Sequence, residues 1–216
     1  MATPNDRTGH RARVVVLVSG SGSNLQALLD ASTEGSLPAD IVAVVSNRPD
    51  AFGLERAANA GVDAAVLEHG PGRERSGYDA ELAELVDSYE PDLIVLAGWM
   101  RLLTMSFLGQ FPDRVVNLHP ALPGELPGTR AIERAWDEAL AGTRTHSGVM
   151  VHLVPDEGVD DGPVLATATI AIDTTGTFDD FAADVHRTEH ELLVATVTDL
   201  CRRLSEPAST LSPTPH

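Results

Sequence analysis

A short apolar run passes directly into a glycine-rich turn in the stretch Val14-Val15-Val16-Leu17-Val18-Ser19-Gly20-Ser21-Gly22-Ser23-Asn24. Five consecutive aliphatic residues predict a strand that is buried on both faces. From about Leu25 onward the apolar residues recur at a helical spacing, so we expect a helix to follow the turn. A buried strand, a tight turn and a helix form the opening unit of a parallel α/β sheet.

The same alternation continues along the chain. Strands buried on both faces are predicted at Val14–Val18, Ile41–Val45, Ala64–Leu67, Leu93–Leu96 and Val115–Leu118, with helices at Leu25–Ala31, Gly53–Ala60, Tyr78–Tyr89 and Met105–Phe111. Beyond them we predict a helix at Ala131–Ala141, strands at Val149–Val154 and Val164–Ile172, and a long terminal helix at Phe178–Leu204. This order predicts an α/β fold with a Rossmann-like, mostly parallel sheet and helices on both faces. We expect one domain at residues 13–204, with disordered ends at 1–12 and 205–216.

Composition excludes several classes of protein. The chain has 216 residues and a net charge of −17, which disfavours binding to nucleic acid or to anionic membranes. No apolar stretch approaches the ~20 residues of a membrane span, and the polar N-terminus lacks a signal-peptide core, so we expect a cytoplasmic protein. All 15 basic residues are arginine, which rules out lysine chemistry, and the single cysteine rules out an intrachain disulfide.

The turn after the first strand is suited to phosphate. Free N–H groups and the positive end of the helix dipole at Gly22, Ser23 and Asn24 would face an anion. The third glycine of a dinucleotide fingerprint is missing, and Ser46-Asn47-Arg48 stands where a ribose-binding carboxylate is expected, so a phosphate monoester fits better. The alternative is an ordinary turn in which Ser23 or Asn24 caps the helix.

Polar side chains end the fifth predicted strand at Asn117-Leu118-His119-Pro120. Residues two apart on a strand point to the same side, so Asn117 and His119 can face one reacting group. An amide N–H can stabilise an oxyanion, and an imidazole can move a proton near neutral pH. A purely structural role for the histidine is the alternative.

A carboxylate partner for His119 is expected in the stretch Pro155-Asp156-Glu157-Gly158-Val159-Asp160-Asp161-Gly162-Pro163. Its glycines and prolines predict a loop. A carboxylate that reached His119 would favour the imidazolium. Spacing does not say which of the four acidic residues does so, and a solvated turn or a calcium loop would have the same composition.

These stretches together resemble the folate-dependent phosphoribosylglycinamide formyltransferases over roughly residues 13–204. The resemblance rests on five ordered blocks: Val18–Gln26; Ser46–Arg48 with Ala51–Gly53; Ala97–Leu103; Asn117–Pro120; and Val151–Val154 with Asp160-x-Gly162-Pro163. It implies transfer of a formyl group from 10-formyltetrahydrofolate to the amine of glycinamide ribonucleotide, in purine biosynthesis.

The resemblance also implies roles for individual residues. Gly22, Ser23 and Asn24 would bind the substrate phosphate and Glu189 the ribonucleotide. Asn117 would bind the formyl oxygen, His119 would act as general acid, and Asp160 would orient His119 and raise its pKa. The folate pocket would be formed by Arg75, Met100, Arg101, Leu102, Leu103 and Asn117.

The chain departs from the family pattern just after His119-Pro120. The loop reads Ala121-Leu122-Pro123-Gly124-Glu125-Leu126-Pro127-Gly128-Thr129-Arg130, with proline and glycine exchanged and Arg130 where a histidine is usual. Either the loop follows a different path near the folate or the amine acceptor differs.

Two other functions remain open on the sequence. The first is a formyl-folate hydrolase or a transferase acting on another amine, although such hydrolases usually carry an extra N-terminal domain. The second, more distant one is a non-catalytic or nicotinamide-binding Rossmann protein. We expect small-molecule substrates only and no metal, because a set drawn from His186, His190 and His146 or His152 lacks a metal-binding motif. The sequence is compatible with a homodimer.

Overall fold

A computed structural model describes residues 11–70 and 72–205. Within these ranges the chain forms β1 (Ala12–Val18), α1 (Ser23–Thr33), β2 (Ala39–Ser46), α2 (Phe52–Asn59), β3 (Asp63–Val66), α3 (Arg75–Asp87), β4 (Leu93–Leu96), α4 (Met105–Leu108), β5 (Val115–His119), α5 (Ala131–Leu140), β6 (His146–Leu153), β7 (Val164–Ala171) and α6 (Phe178–Ser205). Of the ends predicted to be disordered, 1–10 and 206–216 lie outside the described residues. Ala12 already belongs to β1, and Ser205 still belongs to α6.

All seven strands join one sheet in the order β3-β2-β1-β4-β5-β6-β7. The five strands from β3 to β5 are parallel to one another, whereas β6 runs antiparallel to β5 and β7 antiparallel to β6. The predicted Rossmann-like, mostly parallel α/β fold with a long C-terminal helix is therefore confirmed. In the described part of the chain, no helix is long and apolar enough to span a membrane.

Two apolar layers cover the two faces of the sheet, and β1 shows how the sequence divides between them. Val14, Val16 and Val18 point into the layer formed with α1, α5 and α6, whereas Val15 and Leu17 point into the layer formed with α3 and α4. All five side chains are fully buried. An unbroken aliphatic run is required because each face of the strand meets helices.

The prediction that every parallel strand is buried on both faces is wrong for β3. This strand forms the edge of the sheet, and most of its side chains are exposed. Its alanines and valine give the apolar run that the prediction relied on, but an edge strand has only one neighbour to cover it.

The turn after β1 also differs from the capping alternative. Helix α1 begins at Ser23, and its N-cap is Gly22 in a left-handed conformation with φ of 67° and no side-chain cap. Neither Ser23 nor Asn24 caps the helix.

From β1 the chain first adds β2 and β3 on one side of the sheet, and then adds β4 and β5 on the other side. A crevice opens at this switch point, at the carboxyl ends of β1 and β4. Buried Ser19 ties this edge together. Its N–H donates to the Gly98 carbonyl at 3.1 Å, its hydroxyl donates to Asn47 Oδ1 at 2.7 Å, and the same hydroxyl accepts from Met100 N–H at 2.9 Å. The loops after β1, β2 and β4 are thereby held in fixed relation.

Two glycines allow the turn after β1 to approach α2. A Cβ on Gly22 would lie 2.7 Å from the Cα of Gly53, and Gly53 N–H donates to the Gly20 carbonyl at 3.0 Å. Gly35 provides a contrast, because it has a similar positive φ of 79° but a Cβ at that position would meet no atom within 4 Å.

We expect Gly22→Ala to destabilise the protein more than Gly35→Ala. The Gly35 change costs only the left-handed backbone conformation, about 1–2 kcal/mol. The Gly22 change adds a backbone clash worth about a further 1–3 kcal/mol. Urea unfolding of both variants measures the difference, and equal losses of free energy would contradict the close approach.

Candidate active site

A cavity of ≈ 360 Å³ lies at the carboxyl ends of β4 and β5, under the loop 154–163. It is lined by seven of the residues predicted for the folate pocket and the reaction centre: Met100, Arg101, Leu102, Leu103, Asn117, His119 and Asp160. Its volume falls in the range typical of small-molecule sites. The structure thus brings these residues to one place.

Asp160 is the carboxylate that meets the end of β5. Its Oδ1 accepts from Asn117 Nδ2 at 3.1 Å, and its Oδ2 lies 3.3 Å from His119 Nδ1 and accepts from Gly128 N–H at 2.8 Å. The residue adopts a left-handed conformation with φ of 54°, which aspartate tolerates better than most residues. The geometry therefore selects Asp160 among the four acidic residues of the loop.

Burial and polar contacts have opposite effects on the pKa of the Asp160 carboxyl. Burial alone raises the pKa of Asp160, but the interactions with His152, the Gly128 N–H and His119 outweigh it, so the pKa lies below its ordinary value. Asp160 is therefore a carboxylate at neutral pH.

His119 is only 4% exposed and lies between two groups that accept hydrogen bonds. Its Nε2 lies 3.1 Å from the Leu126 carbonyl, and its Nδ1 faces the Asp160 carboxylate. A neutral imidazole carries one N–H and can donate to only one of them, whereas the imidazolium can donate to both.

The net pKa of His119 nevertheless lies below the ordinary value, because burial, with smaller contributions from His152 and Arg134, outweighs Asp160 and the Leu126 carbonyl, which raise it. The contribution of Asp160 has the predicted direction. The net shift is set by burial, and the sequence does not show how deeply the imidazole is buried.

Asn117 is held by two acceptors of the protein itself. Its Nδ2 contacts His152 Nε2 and Asp160 Oδ1, each at 3.1 Å. His152 is buried on β6 opposite Asn117, and its Nδ1 lies 2.8 Å from the Leu153 carbonyl. That contact favours an N–H on Nδ1 and leaves Nε2 to accept. A formyl oxygen would therefore have to compete for an amide hydrogen that already has a partner.

The turn at Gly22–Asn24 lies outside this cavity, at the N-terminus of α1. The side-chain oxygen of Asn24 is buried and has no hydrogen-bond partner in the structure. Arg56 of α2 braces the turn by donating to the Ser21 carbonyl at 2.8 Å and to Gln26 Oε1 at 3.0 Å. Arg56 could not be predicted as a site residue, because nothing in the sequence separates it from other helix-surface arginines.

Glu189 is 5% exposed on α6, which packs against α1, and it does not line the cavity. Its Oε2 lies 2.7 Å from His186 Nδ1, and this hydrogen bond raises the pKa of His186. Burial lowers the pKa of the next histidine, His190, and the nearby charge of Arg56 lowers it further. Glu189 is thus on the α1 and α2 side of the site, and not beside His119.

The remaining predicted folate contact is Arg75, at the start of α3. Its Nε donates to the Leu102 carbonyl at 3.1 Å, while its Nη2 is buried without a partner. Arg101 lies over the ring of Tyr78 at 5.0 Å, and its Nε also lacks a partner. Arg101 lines the cavity and Arg75 does not, although Arg75 contacts the lining residue Leu102. A guanidinium group is suited to a carboxylate ligand. In residues 11–70 and 72–205, no three acidic, histidine or cysteine side chains are grouped to hold a metal ion.

Comparison with known proteins agrees with this fold. The model of the formyl transferase family matches residues 12–197, and the chain belongs to that family.

Among individual relatives, the chain is 42% identical over 198 residues to the phosphoribosylglycinamide formyltransferase of Schizosaccharomyces pombe, covering 86% of this chain and 95% of that one. It is 40% identical over 179 residues to the Escherichia coli K12 protein of the same name, covering 83% of this chain and 82% of that one. The crystal structure of glycinamide ribonucleotide transformylase 1 from Symbiobacterium toebii matches with a TM-score of 0.83 and 38% identity over 90% of each chain.

We expect Asp160→Asn to lower the pKa of His119 further. The charge of Asp160 is the largest contribution that raises this pKa, so its removal leaves burial less opposed. The imidazolium then forms only at lower pH. NMR titration of the histidine ring signals measures this shift, with the exposed neighbour Asp161→Asn as a matched control. An unchanged or higher pKa in Asp160→Asn would contradict the assignment.

Proposed function

We propose that this enzyme transfers the formyl group of 10-formyltetrahydrofolate to the primary amine of glycinamide ribonucleotide. The observation that carries the proposal is the contact of Asp160 with both Asn117 and His119 at the wall of the cavity. An amide donor, a histidine and a fixed carboxylate are the groups that acyl transfer between nitrogens requires.

The folate would occupy the ≈ 360 Å³ cavity. Met100 and Leu102 are 68% and 47% exposed there, and a bound ring system would cover this apolar surface. The unsatisfied nitrogens of Arg75 and Arg101 would bind the carboxylates of its glutamate tail. When bound, the folate supplies the formyl carbon that the amine attacks.

The ribonucleotide phosphate would bind at Gly22, Ser23 and Asn24. The free N–H groups of the first turn of α1 and the helix dipole favour an anion at this position. Arg56 adds a positive charge beside the turn, which matters in a chain with a net charge of −17. Glu189, on the neighbouring α6, would accept hydrogen bonds from the ribose hydroxyls.

During attack by the amine, negative charge develops on the formyl oxygen. Asn117 Nδ2 and protonated His119 would stabilise this charge, with Asn117 exchanging one of its present partners for the oxygen. His119 would then deliver a proton to the nitrogen that leaves, and the proton that the attacking amine gives up would restore the imidazolium. The carboxylate of Asp160 keeps the imidazole oriented and stabilises its charged form against the cost of burial.

A formyl-folate hydrolase or a transferase for another amine is the second candidate, because the loop 121–130 departs from the family pattern beside the cavity. Incubation with 10-formyltetrahydrofolate, with and without glycinamide ribonucleotide, separates the candidates. Loss of the formyl group only with the ribonucleotide supports the proposal. Loss without any amine supports a hydrolase. No loss in either case contradicts both the proposal and the hydrolase, and leaves the transferase for another amine. The cytoplasmic location and the compatibility with a homodimer stay predictions from the sequence.

We expect His119→Ala and Asp160→Asn each to lower turnover by ~10²–10³, the usual cost of removing one group that stabilises an oxyanion. Steady-state kinetics with both substrates measure the loss, and circular dichroism checks that each variant is folded. The exposed His146→Ala change serves as a control and should retain normal turnover. Near-normal turnover in either site variant would rule out the assigned roles.

A further inference from the structure

The loop 121–130 contacts both members of the His119–Asp160 pair through its main chain. The Leu126 carbonyl lies 3.1 Å from His119 Nε2, and Gly128 N–H donates to Asp160 Oδ2 at 2.8 Å. A displacement of this loop would therefore disturb the imidazole and the carboxylate at once. Whatever fixes the loop also fixes the reacting pair.

Two residues of this loop adopt backbone conformations that are unfavourable for residues with a side chain. Leu126 and Arg130 adopt positive φ angles of 44° and 58°, in the left-handed region that residues with a side chain seldom occupy. Such conformations persist only where surrounding contacts impose them. The loop thus needs an anchor outside itself.

Arg134, in the first turn of α5, supplies that anchor. Its Nη2 donates to the Leu126 carbonyl at 2.7 Å and to the Pro127 carbonyl at 2.8 Å, and its Nε lies 3.4 Å from the Arg130 carbonyl. The planar guanidinium can hold several carbonyls in a fixed arrangement, which a lysine ammonium cannot do. The Leu126 carbonyl is shared, because it accepts from Arg134 and also meets His119.

We infer that Arg134 is a positioning residue for the reaction, which holds the Leu126 carbonyl and the Gly128 N–H where they keep His119 and Asp160 in place. The inference rests on the proposed function only for the identity of the reaction. Arg134 does not touch substrate in this role. It acts through the loop, and the shared carbonyl is the direct link to His119.

The titratable and charged groups that face His119 are Asp160 from the loop after β6, His152 from β6 and Arg134 from α5. Burial is the main reason that the pKa of His119 is low, and the positive charge of Arg134 acts in the same direction. Loss of Arg134 would remove one positive charge and admit water beside a released loop. Both effects favour the imidazolium, whereas loss of the Leu126 carbonyl contact opposes it, so a displaced loop changes the balance that sets the pKa of His119.

The test uses Arg134→Gln, which removes the charge and most of the donors, and Arg134→Lys, which keeps the charge. Arg202→Gln is the control, since this arginine is 61% exposed on α6 and pairs only locally with Asp199. For each protein we would measure kcat, the KM of both substrates, and the pKa of His119 by NMR. The NMR titration needs no substrate, so it tests the positioning role even if the formyl acceptor is different.

We expect Arg134→Gln to lower kcat roughly 10- to 100-fold, as small misplacements of catalytic groups do, with each KM little changed. Arg134→Lys should lose less, and the pKa of His119 should shift in Arg134→Gln. Arg202→Gln should match the unaltered protein. Wild-type kcat in Arg134→Gln, or a reduced kcat with an unchanged pKa of His119, would overturn the inference. If Arg134→Gln does not fold, the same two measurements on Arg134→Lys decide it.

Discussion

The carboxylate of Asp160 joins groups from three other segments of the chain. It contacts Asn117 and His119 at the end of β5, lies 3.7 Å from His152 on β6, and accepts from Gly128 in the loop that follows β5. Antiparallel pairing makes this convergence possible, because β6 returns the chain along β5 and the loop 154–163 then passes over the strand ends. Without that pairing, the carboxylate would have no path to the histidine.

In the same arrangement, some groups favour the protonated form of His119 and burial favours the neutral form. Two acceptors, the Asp160 carboxylate and the Leu126 carbonyl, favour a doubly protonated ring, whereas burial favours a neutral one. Burial prevails, so the net pKa of His119 lies below its ordinary value. Negative charge that develops on a bound substrate would add a third group that favours the imidazolium. The histidine is therefore set to take its charge when the reaction needs it, and to be mostly neutral before.

The sequence predicted those parts of the site that depend on local periodicity. Asn117 and His119 are two apart on a strand, so their common orientation followed from the spacing alone. The choice of Asp160 among four acidic residues depended on family resemblance, because the path of a loop is not encoded in its composition. The exposure of β3, the depth of burial of His119 and the contacts of Arg56 and Arg134 all depend on packing between distant segments. No pattern along the chain could have shown them.

The loop 121–130 departs from the family pattern, yet its contacts with the site are made by main-chain atoms. The Leu126 carbonyl and the Gly128 N–H are main-chain groups, so they do not depend on which side chains the loop carries. Gly128 adopts a φ of 80°, a conformation that costs free energy for residues with a side chain. Side chains in the loop can therefore change without loss of the bonds to His119 and Asp160. Arg130 differs in this respect, since its side chain is 74% exposed and the residue lines the cavity. The presence of Arg130, where a histidine is usual, therefore affects what the cavity binds more than it affects how His119 is held.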